Sequence, residues 1–134
     1  MWGCNQSIIT DKSFHPLSNL HYLNMAKCNQ STITGKANRE LTKLQFLEME
    51  GCNQSTITDE AFRYLVNLRN LYMRDCIQSN ITNGAFQHLH LTNLRDLRMQ
   101  KCNQVTITGD YLTNLQSLAM ERCNQSAITD EAIC

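Results

Sequence analysis

Apolar residues recur along this chain on two scales. At short range Leu44, Leu47 and Met49 alternate with Phe46, Glu48 and Glu50, a period of two that predicts a short strand with one buried face. At long range the same phrase returns in frame as LHYLNMAKCNQSTITG, LQFLEMEGCNQSTITD, LRNLYMRDCIQSNITN, LRDLRMQKCNQVTITG and LQSLAMERCNQSAITD, after a partial unit MWGCNQSIITD. Cysteines at 4, 28, 52, 76, 102 and 123 mark steps of 24, 24, 24, 26 and 21, and every methionine stands three residues before one of them. Beyond each strand Ile57 and its equivalents point inward, and Thr58-Asp59 offers a helix cap to a short helical or turn-like stretch from Glu60 to Leu65. Its inward residues are Ala61, Phe62 and Leu65, repeated as Ser13, Phe14, Leu17, then Ala37, Asn38, Leu41, then Ala85, Phe86, Leu89, and finally Ala132, Ile133. One strand and one short helix cannot bury their own apolar face, so the units must stack into a continuous core.

The phrase Leu44-x-x-Leu47-x-Met49-x-x-Cys52, followed by Ile57-Thr58-Asp59, resembles a leucine-rich repeat. It is most similar to the cysteine-containing class found in the substrate-recognition half of F-box proteins, where Cys replaces the Asn at the strand's end. Ile57 stands five residues after Cys52, further than that class usually places it, and the chain contains no F-box segment. The resemblance implies an α/β fold: a single right-handed leucine-rich-repeat solenoid over 1–134, of about six repeats of 21–26 residues, with a parallel concave sheet and short convex helices or turns. It begins and ends in mid-repeat, so the terminal units are expected to lack polar caps and to self-associate, with Trp2 helping to cover one end and Cys134 as a surface thiol.

Charge narrows the partners. With 12 Lys+Arg against 12 Asp+Glu, there is no basic stripe to draw phosphate backbones or anionic lipid, which argues against nucleic acid and membrane. No apolar run approaches a membrane span, and the start carries no basic and apolar leader. The 7 cysteines admit disulfide, metal or nucleophile readings; their columnar repetition favours buried reduced thiols, because side chains on neighbouring strands point in parallel. Zinc-type close pairs are absent, and His88 and His90 fall in the insertion of the 26-residue unit, expected as an exposed convex loop. No catalytic constellation, cofactor motif or metal site emerges, so the chain reads as a non-enzyme. Columns of asparagine (Asn5, Asn29, Asn53, Asn103, Asn124) and glutamine (Gln6, Gln30, Gln54, Gln78, Gln104, Gln125) are expected to satisfy turn backbone groups. Sequons at Asn5, Asn29, Asn53, Asn80 and Asn124 would stack glycans too closely, which with the thiols points to a reducing, cytoplasmic setting.

Function is sought on the strand face, where residues not spent on stacking are free to vary. The exposed triplets are expected as Tyr22, Asn24, Ala26; Phe46, Glu48, Glu50; Asn70, Tyr72, Arg74; Asp96, Arg98, Gln100; and Ser117, Ala119, Glu121. Aromatic and arginine side chains are the usual interface anchors, so the candidate partner-binding residues are Tyr22, Asn24, Phe46, Glu48, Glu50, Tyr72, Arg74 and Arg98, with a protein or peptide as ligand. The plain alternative is a solvated face carrying cross-strand Glu–Arg pairs. Another is ice binding through Thr32-Ile33-Thr34, Thr56-Ile57-Thr58 and Thr106-Ile107-Thr108, although the second threonine column (Thr10, Thr34, Thr58, Thr82, Thr108, Thr129) is accounted for by helix capping. A purely structural, self-assembling repeat is the third.

Overall fold

The computed structural model describes residues 3, 5–77, 80–90, 93–102 and 112–123. Expectations for Trp2, Cys4, Gln78, Asn103, Gln104, Thr106, Thr108, Asn124, Gln125, Thr129, Ala132, Ile133 and Cys134 fall outside that set. Five strands, β1 (Tyr22–Asn24), β2 (Phe46–Glu48), β3 (Asn70–Tyr72), β4 (Asp96–Arg98) and β5 (Ser117–Ala119), form one parallel sheet in chain order. Their register places Leu23, Leu47, Leu71, Leu97 and Leu118 in one row, which is the inward position of the alternation. Each strand from β2 onward is entered through a shared acceptor: the His21 carbonyl takes both the Gln45 N–H (2.9 Å) and the Phe46 N–H (3.0 Å), and Gln45, Arg69 and Arg95 repeat this for β3, β4 and β5.

Each strand ends in a turn whose residue before the cysteine has positive φ: Lys27, Gly51, Asp75, Lys101 and Arg122 lie between 56° and 65°. That left-handed corner costs a non-glycine residue on the order of 1–2 kcal/mol, so the turn must be held by other contacts. A methionine carbonyl holds it twice. The Met49 carbonyl accepts the Cys52 N–H (3.0 Å) from its own unit and the Cys76 thiol (2.8 Å) from the next. Met25, Met73 and Met99 do the same for Cys28 and Cys52, Cys76 and Cys102, and Cys102 and Cys123. Beyond the corner the Asn5, Asn29 and Asn53 side-chain carbonyls accept the N–H of Asn29, Asn53 and Ile77, at 2.8, 2.6 and 2.9 Å. Gln54 donates its amide to the Cys28 carbonyl.

The return path is helical. Short 3₁₀ segments cover Asp11–Leu17, Gly35–Glu40 and Asp59–Phe62, and one α-helix, α1, covers Asn83–His90. A 24-residue unit closes its circuit with the steeper 3₁₀ rise, and the 26-residue unit has room for full α-turns. His88 and His90 therefore sit on a helix rather than in the expected loop, and His88 faces Glu60 at 3.8 Å. Between sheet and helices lies one continuous core of Leu, Met, Ile, Phe, Ala and Cys side chains, from Phe14 to Cys102. Fully burying one such Leu, Met or Phe stabilises by about 1.5–3 kcal/mol. Asn38, the polar residue in the phenylalanine column, is buried and donates to the Ala61 carbonyl at 2.9 Å.

Several inward assignments are corrected. Ser13 is exposed because its hydroxyl turns back to accept the Thr10 N–H at 3.2 Å. Leu17 is 36% exposed, having a helical neighbour on one flank only among the described residues. The threonine column does more between units than within them: Thr34 caps Lys36 N–H and Thr82 caps Gly84 N–H, both at 3.2 Å, while Thr58 makes no side-chain cap. The shorter bonds run to the preceding unit, where Asp11 accepts the Thr34 N–H and hydroxyl (2.7 Å each) and Asp59 accepts those of Thr82 (2.6 Å each).

Among the described cysteines none is in a disulfide; Cys28, Cys52, Cys76 and Cys102 are buried and Cys123 is half-buried. Burial pushes the Cys52 and Cys102 thiols from 9.0 up to about 12, and Cys76 higher still. Iodoacetamide at neutral pH should therefore modify Cys123 before Cys52, Cys76 and Cys102, read by mass spectrometry of peptides; equal rates would contradict this packing. Because the folded pKa exceeds the unfolded one, the thiols contribute their stability in full below pH 9 and lose it as pH rises toward the folded values.

Candidate functional site

The outward side chains of the sheet stand in columns set by the strand register. Tyr22, Phe46, Asn70, Asp96 and Ser117 form the first column, and Asn24, Glu48, Tyr72, Arg98 and Ala119 the second. The aromatic candidates therefore run diagonally rather than down one column. The Tyr22 and Phe46 rings are direct neighbours with centroids 5.0 Å apart, and Tyr72 meets Phe46 edge-on at 4.7 Å from the adjoining column. Such pairings contribute about 0.5–1.5 kcal/mol beyond area burial. The row ends under Arg98, whose guanidinium carbon lies 4.3 Å from the Tyr72 centroid. Tyr22 is 52% exposed, whereas Phe46 and Tyr72 are half-buried by their neighbours.

Each end of this row is fixed by a carboxylate. Glu48 accepts from the Tyr22 hydroxyl (3.1 Å) and the Asn24 amide (2.8 Å), while the Asn24 carbonyl takes the Ala26 N–H at 2.9 Å. Ala26, expected on the exposed face, is 2% exposed instead; its N–H is held by Asn24 and its carbonyl by the Gly3 N–H of the preceding unit at 2.7 Å. At the other end Asp96 accepts from the Tyr72 hydroxyl (2.8 Å) and from the Arg98 guanidinium (3.3 and 3.5 Å). Burial acts to raise the Asp96 pKa, but the hydrogen bonds from Tyr72 and Arg98 outweigh it and hold the carboxyl below its usual range. Burial and the Asp96 contact together raise the Tyr72 phenol. Asp96 was expected on this face without a role; it positions both Tyr72 and Arg98.

The remaining candidates lie at the strand ends. Glu50 is half-buried, and Arg74 is exposed and pairs with Asp75 at 3.5 Å, which in turn takes Lys101 at 3.5 Å. The expected cross-strand Glu–Arg pairs are thus replaced: Glu48 is engaged by hydroxyl and amide groups, and the arginines by aspartates. Arg69 and Arg95, just before β3 and β4, are exposed too, so the face grades from Glu48 and Glu50 to an arginine-bearing half. The first threonine column is occupied by backbone contacts, Thr32 and Thr56 donating to the Ile9 and Ile33 carbonyls at 2.6 and 2.7 Å. No group of three or more His, Cys, Asp or Glu residues is placed to hold a metal ion among the described residues, and none of their helices is long and apolar enough to cross a membrane.

No family model matches the chain, and no curated protein matches it in sequence. Among solved structures it is similar to TLR13 in the crystal structure of the TLR13–ssRNA13 complex, with a TM-score of 0.73 over 93% of this chain at 21% identity. The chain spans 18% of the length of that protein. Parallel strands in chain order, a helical return path and this structural likeness establish an α/β leucine-rich-repeat solenoid.

Proposed function

We propose that the chain is a non-enzymatic binding module whose concave face takes a protein or peptide segment through Tyr22, Asn24, Phe46, Glu48, Glu50, Tyr72, Arg74 and Arg98. The observation that carries this reading is the diagonal row Tyr22–Phe46–Tyr72–Arg98, held rigid by Glu48 and Asp96 yet open to solvent. Pre-fixed side chains lose little freedom on binding, and aromatic and arginine groups are the commonest hot spots. The ligand is a segment with an apolar or aromatic centre, a cation toward Glu48 and Glu50, and an acid toward Arg74 and Arg98. The single-stranded RNA in the TLR13 complex suggests base stacking as a rival use of such a row. Glu48 and Glu50 oppose a phosphate backbone over the β2 part of the face, which favours peptide.

The repeat phrase supports membership of the cysteine-containing class, and the buried thiols suit a reducing, cytoplasmic setting. Replacing Phe46 and Tyr72 together by Ala should weaken a peptide selected from a display library by about tenfold or more, in a chain that still folds but melts at a lower temperature, because the ring pairings and the Tyr72–Asp96 hydrogen bond are lost too. Unchanged affinity, or tighter binding of a single-stranded RNA oligonucleotide than of any selected peptide, would refute the reading.

A further inference from the structure

Two glutamines are buried in the turns that follow the strand cysteines. Gln30 is 7% and Gln54 3% exposed, and with Asn38 they are the buried polar side chains among the described residues. Asn38 is satisfied by the Ala61 carbonyl. Gln54 spends its Nε2 on the Cys28 carbonyl, which fixes which way round its amide stands, since the reversed amide would set two carbonyl oxygens against each other. The Gln54 Oε1 and both polar atoms of the Gln30 amide are then buried without a hydrogen-bond partner among the described residues. For the Gln30 Nε2, the acceptor at the register of Cys28 belongs to the preceding unit, outside those residues. The two oxygens have no such explanation. Each coil brings a buried carbonyl oxygen and no donor for it, and a buried acceptor left unpaired carries the full cost of its lost hydration.

The spacing of the coils points to the donor. Gln30 and Gln54 hold one register on neighbouring coils that touch just before them in the chain: the Cys52 thiol reaches the Met25 carbonyl at 2.7 Å, and the Asn53 N–H reaches the Asn29 side-chain carbonyl at 2.6 Å. Coils stacked through a parallel sheet stand about 4.8 Å apart, so equivalent side-chain oxygens are separated by about that distance. A water molecule donating both hydrogens over about 2.8 Å each spans acceptors about 4.6 Å apart, because its two donor directions open at the tetrahedral angle. We propose that one internal water binds between Gln30 and Gln54 and donates one hydrogen to each Oε1. Two polar partners meet the minimum for a buried water. A hard cation is drawn to the same oxygens but takes about six or more of them, and this pair supplies two. The water links the unit that carries Tyr22 to the unit that carries Phe46 and Glu48, behind the strand face.

The test is oxygen-17 relaxation dispersion on the full chain, which counts waters held far longer than those at the surface, together with water-to-amide Overhauser effects. Gln30→Met, with an apolar side chain of similar length, should lose one long-lived water while circular dichroism shows the fold retained. In the native chain the Gln54 side-chain amide should show a water cross-peak with the sign of a long-lived contact. Both signals should be the same in choline chloride as in sodium or potassium chloride. An undiminished count in folded Gln30→Met, absence of the cross-peak at Gln54, or a signal that requires sodium or potassium would each overturn the proposal. Should Gln30→Met fail to fold, the native cross-peak and its salt dependence decide the matter alone.

Discussion

The structure depends on a shared acceptor at the end of each strand. A methionine carbonyl receives the cysteine N–H of its own unit and the cysteine thiol of the next, so one oxygen both closes the left-handed corner and fixes the position of the following coil. A buried carbonyl left unpaired costs about 1–3 kcal/mol, and here both donors are supplied by the same residue type at the same place in the repeat. Cysteine suits that position because it fills a small apolar volume, donates weakly, and stays protonated when burial raises its pKa. The asparagine amides and the aspartate–threonine pairs extend the same logic around the coil: a polar group of one unit is satisfied by a group one unit away.

This division of labour leaves the strand face free. Core columns repeat almost without change, while the outward positions of β1 to β4 carry aromatic, acidic and basic side chains in unlike order. Rigid placement then comes from neighbours on the same face. Glu48 ties Tyr22 to Asn24 across a strand boundary, and Asp96 ties Tyr72 to Arg98. The polar pattern breaks once on the convex side, where Gly35 stands at the register of Asp11 and Asp59.

The strands, the stacked units and the outward candidates were legible because alternation and a 24-residue period leave few arrangements that bury Leu44, Leu47 and Met49. What remained illegible depends on contacts between units. The in-frame triplets already set Tyr72 one column aside from Phe46; that the two rings meet across the columns at 4.7 Å is not legible from them. The role of Asp96 required knowing that it faces both Tyr72 and Arg98. The alternation that leaves Arg74 exposed does not hold for the short Ala26 at the same register, which its neighbours cover. Thr34 and Thr82 read as caps from local sequence, yet their shorter bonds run to Asp11 and Asp59, 23 residues away.

The shared methionine carbonyl is tested most directly by comparing Cys76→Ser with Cys76→Val in chemical denaturation. A buried hydroxyl without an acceptor destabilises more than an apolar side chain of similar size. At Cys76 the acceptor is present, with the thiol 2.8 Å from the Met49 carbonyl, and the serine hydroxyl remains within hydrogen-bond reach. The account predicts that Cys76→Ser stays closer to the native stability and that Cys76→Val loses about 1 kcal/mol more. Greater stability of Cys76→Val would show that the cysteine column acts by apolar packing alone and contradict the account.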